Sequence, residues 1–132
     1  MLLNLSDLSD ESLQSQIIRL VRAKILAGDI DAHTSLPSIR NLARQNQVSV
    51  ITVQRAYEGL IREGLIHSRR GKGFFVSDLH DRTKREMALE RFLEKLDPLI
   101  DMAVDEGLSL EEVSQTILTY LREKESNGGK RV

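Results

Sequence analysis

The chain has 132 residues, 40% of them apolar and 30% charged, with a formal net charge of −1. That length suits one compact domain with a small appendage, and that composition suits a soluble protein with a real core. Cysteine is absent, which excludes disulfides, thiolate metal sites and cysteine nucleophiles. The opening MLLNLSDLSD turns acidic at once, so no signal peptide is expected, and the apolar runs are far too short for a membrane span. A cytoplasmic location follows as the expectation. Three Phe, two Tyr and no Trp point to an aliphatic, helix-rich core.

The first predicted helix runs from about Asp10 to Ala27. Leu13, Ile17, Leu20, Val21 and Ile25 recur at helical spacing, with Arg19, Arg22 and Lys24 on other faces. Ser9 or Asp10 supplies its N-cap and Gly28 stops it. A second helix begins near Ser38, after a proline that disfavours helix at the preceding residue, and buries Ile39, Leu42 and Ala43. Gln45-Asn46-Gln47 forms a turn. Ser49 then caps a third helix whose inward face is Val53, Ala56, Tyr57, Leu60 and Ile61, with Gly64 as its end.

Two short strands follow, Leu65 to Arg69 and Phe74 to Ser77, around the tip Arg70-Gly71-Lys72-Gly73. The two glycines permit backbone angles and a close phosphate approach that a side chain would hinder. Three cations, Arg69, Arg70 and Lys72, crowd this tip. Two short amphipathic helices followed by a basic hairpin make a winged helix-turn-helix, a shape suited to placing one helix in the DNA major groove.

Beyond the wing, one long helix is predicted from about Leu79 to Asp105, with a kink or break near Asp97 caused by Pro98 and an end at Gly107. Leu89, Phe92, Leu96, Leu99, Ile100 and Ala103 form its stripe. Ser109 with Glu112 is a capping box that opens a final helix, with Leu110, Val113, Ile117 and Leu121 on one face. Two such helices cannot bury their stripes on each other alone, so they cover the winged part or pair with another copy. The stripe residues, with Val113, Ile117 and Leu121, are the candidate dimer interface.

The fold expected is therefore mainly α: three helices and a two-stranded wing, then a two-helix dimerisation part. Its divisions are 1–77 for DNA binding, 78–125 for dimerisation or regulation, and 126–132 as a disordered tail. Charge follows this division. From Leu36 to Gly73 seven bases against two acids leave +5, whereas from Asp78 to Glu125 thirteen acids against seven bases leave −6. A basic part joined to an acidic one is what a DNA reader with a non-binding appendage shows.

LPSIRNLA, VSVITVQRAYEGLIREGLI and RRGKGFFV, in this order and spacing, resemble the DNA-binding domain of the GntR family of bacterial transcription regulators over residues 10–77. The short remainder is similar to the YtrA-like subfamily, whose small helical C-terminal part serves mainly for dimerisation. The resemblance implies that Arg40, with Ser38 where its helix starts, touches DNA. It implies that Ser49, Thr52, Gln54 and Arg55 face the major groove, and that Arg69, Arg70, Gly71, Lys72 and Gly73 form a wing on the adjacent minor groove. Many family members carry arginine where this chain has Val50 and Gln54. Val50 and Ile51 cannot make a guanine contact; they suit thymine methyls, as Gln54 suits adenine, unless the helix turns Val50 into the core. A less G-dependent operator is expected.

The function implied is a homodimeric repressor acting in the cytoplasm, on the bacterial nucleoid, at an inverted-repeat DNA operator. No cofactor, metal or membrane partner is expected, and a small-molecule effector is left open. Against an enzyme, His33, His67 and His80 sit in no metal-ligand pattern, and the wing GKG lacks the Walker spacing. The alternative is a winged helix used for protein–protein contact, which would leave the exposed face of the third helix apolar or acidic. That face is polar and basic.

Overall fold

Ser12, rather than Ser9 or Asp10, caps the first helix: its side chain accepts the Ser15 amide, and α1 spans Leu13–Leu26. The cause is Gln16, a buried residue whose Nε2 donates to the carbonyls of Ser6 and Glu11 while its Oε1 accepts the Ser6 amide. With its backbone held by that amide, the segment before Ser12 turns on itself instead of extending the helix. A computed structural model describes residues 1–128 of the chain. Over these residues it contains α1, then α2 (Ile39–Asn46), α3 (Val50–Arg62), β1 (Ile66–Arg69), β2 (Gly73–Val76), α4 (Asp81–Asp105) and α5 (Leu110–Ser126). The fold is the expected mainly helical one, with a single two-stranded antiparallel sheet among the described residues.

The first compact unit is Met1–Met87. Ile17, Val21 and Ile25 of α1 meet Leu42 and Ala43 of α2, and Val53, Ala56, Tyr57 and Leu60 of α3, in one buried cluster closed by Leu36, Leu65, Ile66 and Val76. Gly59 is what lets α1 and α3 approach: a Cβ there would lie 2.8 Å from Ile18 Cδ1. Ile61 is not on the inward face but 39% exposed. Residues 53, 56, 57 and 60 already fill the buried side of α3, and position 61 falls about 100° beyond Leu60 around the axis. Arg22, expected on an outer face, is buried instead. Its Nε and Nη2 each donate to a carboxylate oxygen of Glu63 at 2.8 Å, a two-point pair that fastens α1 to the end of α3.

The turn between α2 and α3 is shorter than expected, because Gln45 and Asn46 remain helical. Asn46 donates to the Leu42 and Met1 carbonyls and accepts the Leu3 amide, binding the N-terminal arm to the helix end. Gln47 alone takes the left-handed conformation (φ 54°), and Val48 N–H then closes onto the Ala43 carbonyl at 3.0 Å. The hairpin pairs Ile66 with Val76 and Arg69 with Gly73, so its strands are Ile66–Arg69 and Gly73–Val76, each one residue off the predicted Leu65 to Arg69 and Phe74 to Ser77.

The second unit begins at Ala88. Pro98 does not break the long helix: α4 continues across it to Asp105. Pro98 has no N–H to give the Glu94 carbonyl, but Glu94 is exposed and water can take that place. Ser109 and Glu112 form the expected capping box at the start of α5. Neither α4 nor α5 buries any residue. Ser126, placed in the expected disordered tail, is the last residue of α5 and Asn127 caps it; residues 129–132 of that tail lie outside the described residues.

Candidate nucleic-acid interface

The tip of α3 is built by its cap. Ser49 Oγ accepts the Thr52 amide at 3.1 Å and lies 2.7 Å from Thr52 Oγ1, so both hydroxyls are tied into the first turn. Beyond them, Val50, Ile51, Gln54 and Arg55 are all exposed. Spacing of four places Val50 beside Gln54 and Ile51 beside Arg55 on the helix surface. Val50 is 48% exposed, so the helix does not turn it into the core.

Ser38 caps α2 by accepting the Asn41 amide, and Arg40 projects from the first turn into solvent. Arg44, one turn further on the same side, is also exposed, and it is absent from the residues the family resemblance picks out. Its signal was the charge count between Leu36 and Gly73, in which it is one of the seven bases.

In the wing, Lys72 N–H returns to the Arg69 carbonyl at 2.9 Å, and Gly71 and Gly73 adopt φ of 72° and 104°, conformations that side-chain-bearing residues resist. The tip leaves Arg69, Arg70 and Lys72 exposed. Arg69 lies over the Phe75 ring, 5.4 Å from its centre, which holds one of the three cations against the hairpin.

One side chain joins the three pieces. Tyr57, buried on α3, donates its hydroxyl to the Pro37 carbonyl just before α2 and packs edge-on against Phe74 of β2, with ring centres 4.8 Å apart. Burial raises its phenol pKa, so the hydroxyl stays a donor throughout the physiological range. The segment before α2 also lies along β2: Ser35 bridges to Phe75, Leu36 N–H donates to the Phe74 carbonyl, and Val76 N–H donates to the Thr34 carbonyl. Sequence periodicity gave no sign of this third edge, since no alternating pattern marks residues 34–36.

The structure thus gathers Ser38, Arg40, Ser49, Thr52, Gln54, Arg55 and the wing residues 69–73 in one unit, all exposed except the half-buried Thr52. On the second unit, Leu89, Phe92, Leu99, Ile117 and Leu121 are exposed, and Leu96, Ile100, Ala103 and Val113 are half-buried. Leu93, Met102, Leu118 and Tyr120 widen the exposed apolar surface beyond the stripe read from spacing. Two of the three histidines make local contacts: His67 Nδ1 lies 3.2 Å from Ser77 Oγ, and His33 faces Asp78 at 3.7 Å.

Residues 13–76 match the profile described as bacterial regulatory proteins, gntR family. The HTH-type transcriptional regulator YhcF of Bacillus subtilis is 36% identical over 109 residues, covering 77% of this chain and 79% of that protein. The chain belongs to the GntR family. A second member, the HTH-type transcriptional repressor YtrA of the same organism, is 33% identical over 109 residues, 83% of this chain and 84% of its own length. A GntR family transcriptional regulator from Listeria monocytogenes shares the fold over 87% of this chain and 98% of its own, with a TM-score of 0.73 at 23% identity. The DNA-binding domain of AraR in complex with operator ORX1 aligns at 28% identity and a TM-score of 0.51, over 58% of this chain and 95% of that one.

As a GntR-family member this chain is a DNA-binding transcription regulator, and the alternative of a winged helix used only for protein contact finds no support. Among the described residues no helix is long and apolar enough to cross a membrane.

Proposed function

We propose that this GntR-family regulator is a homodimeric repressor that reads an inverted-repeat operator and acts by covering a promoter in the cytoplasm. Residues 1–77 bind DNA and 78–125 dimerise. Its role is binding rather than catalysis. The observation that carries this reading is the single unit in which Tyr57 ties α3, the start of α2 and the wing together behind an exposed surface that is polar and basic around Val50 and Ile51.

Each subunit places α3 in a major groove and its wing tip on the neighbouring backbone or minor groove. Arg40, Arg55, Arg69, Arg70 and Lys72 position the protein on phosphates, with Ser38 and the wing glycines at the backbone. Gln54, helped by Ser49 and Thr52, reads bases. Pairing of two copies through the apolar surface of α4 and α5 sets half-sites about 10 bp apart, or a multiple of that. YtrA, similar along most of its length, is named a transcriptional repressor, which supports the sign of regulation proposed here.

Selection of random duplexes by the purified protein at low and high salt tests the reading. Recovery of an inverted repeat, with log affinity falling at about −0.9 per phosphate contacted, is the expected result. Recovery of a single unrepeated half-site sinks the dimeric part. Binding that is weak and indifferent to salt sinks the whole.

A further inference from the structure

We infer that Val50 and Ile51, at the tip of α3, are the residues that select the operator's thymines, by enclosing the C5-methyl groups that thymine presents in the major groove. The inference rests on the DNA-reading function proposed above and names its base specificity. Three features of the tip lead to it.

The polar groups nearest the tip are already engaged. Ser49 Oγ accepts the Thr52 amide and shares a proton with Thr52 Oγ1 at 2.7 Å, so together the two hydroxyls keep a single proton to offer a base. Val50 and Ile51, by contrast, are 48% and 49% exposed, while the residues that α3 buries are Val53, Ala56, Tyr57, Gly59 and Leu60. Val50 and Ile51 are thus two adjacent aliphatic side chains that stand partly in water at the start of a helix. They remain in water until something apolar covers them.

What covers them is fixed by their neighbours. Val50 lies one turn from Gln54, and Ile51 one turn from Arg55, which is itself a proposed phosphate contact. A carboxamide pairs with N6 and N7 of adenine, and the apolar feature beside an adenine in the major groove is the methyl of its own thymine or of the adjoining one. The guanidinium of Arg55 at the rim suits a phosphate, and an apolar protein surface beside it would leave that charge without a partner. The occupant is therefore a thymine methyl.

The test removes only the methyl. In the selected operator, each thymine is replaced singly by deoxyuridine, and affinity is measured by fluorescence anisotropy at fixed salt for the full chain and for its Val50→Ala/Ile51→Ala variant, whose helicity is checked by circular dichroism. At one or two thymines per half-site, deoxyuridine should weaken binding by the full chain about fourfold, the effect of burying one methyl group. The variant should bind thymine and uracil operators alike. Uracil tolerated at every position overturns the inference without any protein variant being needed, and so does a uracil penalty that persists undiminished in the variant. Failure of the regulator reading looks different: no duplex, with thymine or uracil, is then bound in a salt-dependent manner.

Discussion

The hydroxyl of Tyr57 donates to the carbonyl of Pro37 at 2.7 Å, across twenty residues of sequence, and so couples the middle of α3 to the start of α2. This bond sets where Arg40 stands relative to Gln54 and Arg55, because Ser38 begins the helix one residue after Pro37. With the Phe74 ring on its other side, Tyr57 keeps the angle between helix, helix and wing from being set by loops alone.

Tyr57→Phe keeps the ring and leaves the Pro37 carbonyl without its donor. A loss of about 1–2 kcal/mol is expected in urea unfolding. Affinity for the selected operator should fall while the salt slope is unchanged, since no phosphate contact is removed. Wild-type stability in this variant would show that water replaces the phenol.

Arg22→Ala should cost about 2–3 kcal/mol, less than a fully buried pair because Glu63 keeps 28% of its side-chain surface in water. The loss is of packing as well as charge. Thermal unfolding of Arg22→Ala beside Arg22→Met separates the two: the methionine should restore part of the stability by filling the space between α1 and α3. Equal losses in both would assign the whole effect to the ion pair.

Lys72→Ala and Gln54→Ala should fail in different ways. Losing Lys72 removes one phosphate contact, so binding weakens on every sequence and the salt slope drops by about 1. Losing Gln54 should relax preference at one base pair by roughly 1–3 kcal/mol and leave the slope alone. Affinity across a set of operator variants at several salt concentrations distinguishes them; identical profiles would contradict the division of labour.

Glu112 accepts the Ser109 amide, which holds its carboxyl below the ordinary value of 4.5. A lowered native pKa contributes stability above the unfolded pKa, and that contribution is lost as pH falls through the native value. The capping box should therefore persist below pH 4.5 and open only under stronger acid, taking the first turn of α5 with it. The Ser109 amide chemical shift followed against pH reads this directly. Glu112→Gln, which keeps the acceptor and removes the titration, should flatten the curve.

Much of this was legible in the chain itself. Ser38, Ser49 and Ser109 announce three helix starts, because a cap is a bond between residues three apart. The wing follows from Gly71 and Gly73 in the same local way. Readings failed where the deciding partner was distant. Ser9 and Asp10 were plausible caps until Gln16 took hold of Ser6 and Glu11. Arg22 read as a surface residue because nothing near it in sequence is its partner; Glu63 is brought to it by the packing of α3 on α1. Ile61 matched a helical stripe, yet which hundred degrees of a helix is buried depends on what lies against it.

Sequence by itself determined the order and type of the elements, the basic surface and the family, since caps, turn glycines and apolar periods act over three or four residues. Tertiary structure alone decided where the covered faces end. It put Val50 and Ile51 in solvent, Arg22 inside, and Pro37 under the hydroxyl of Tyr57. Burial and long-range hydrogen bonds are relations between segments, and a segment carries no record of the neighbour that will lie across it.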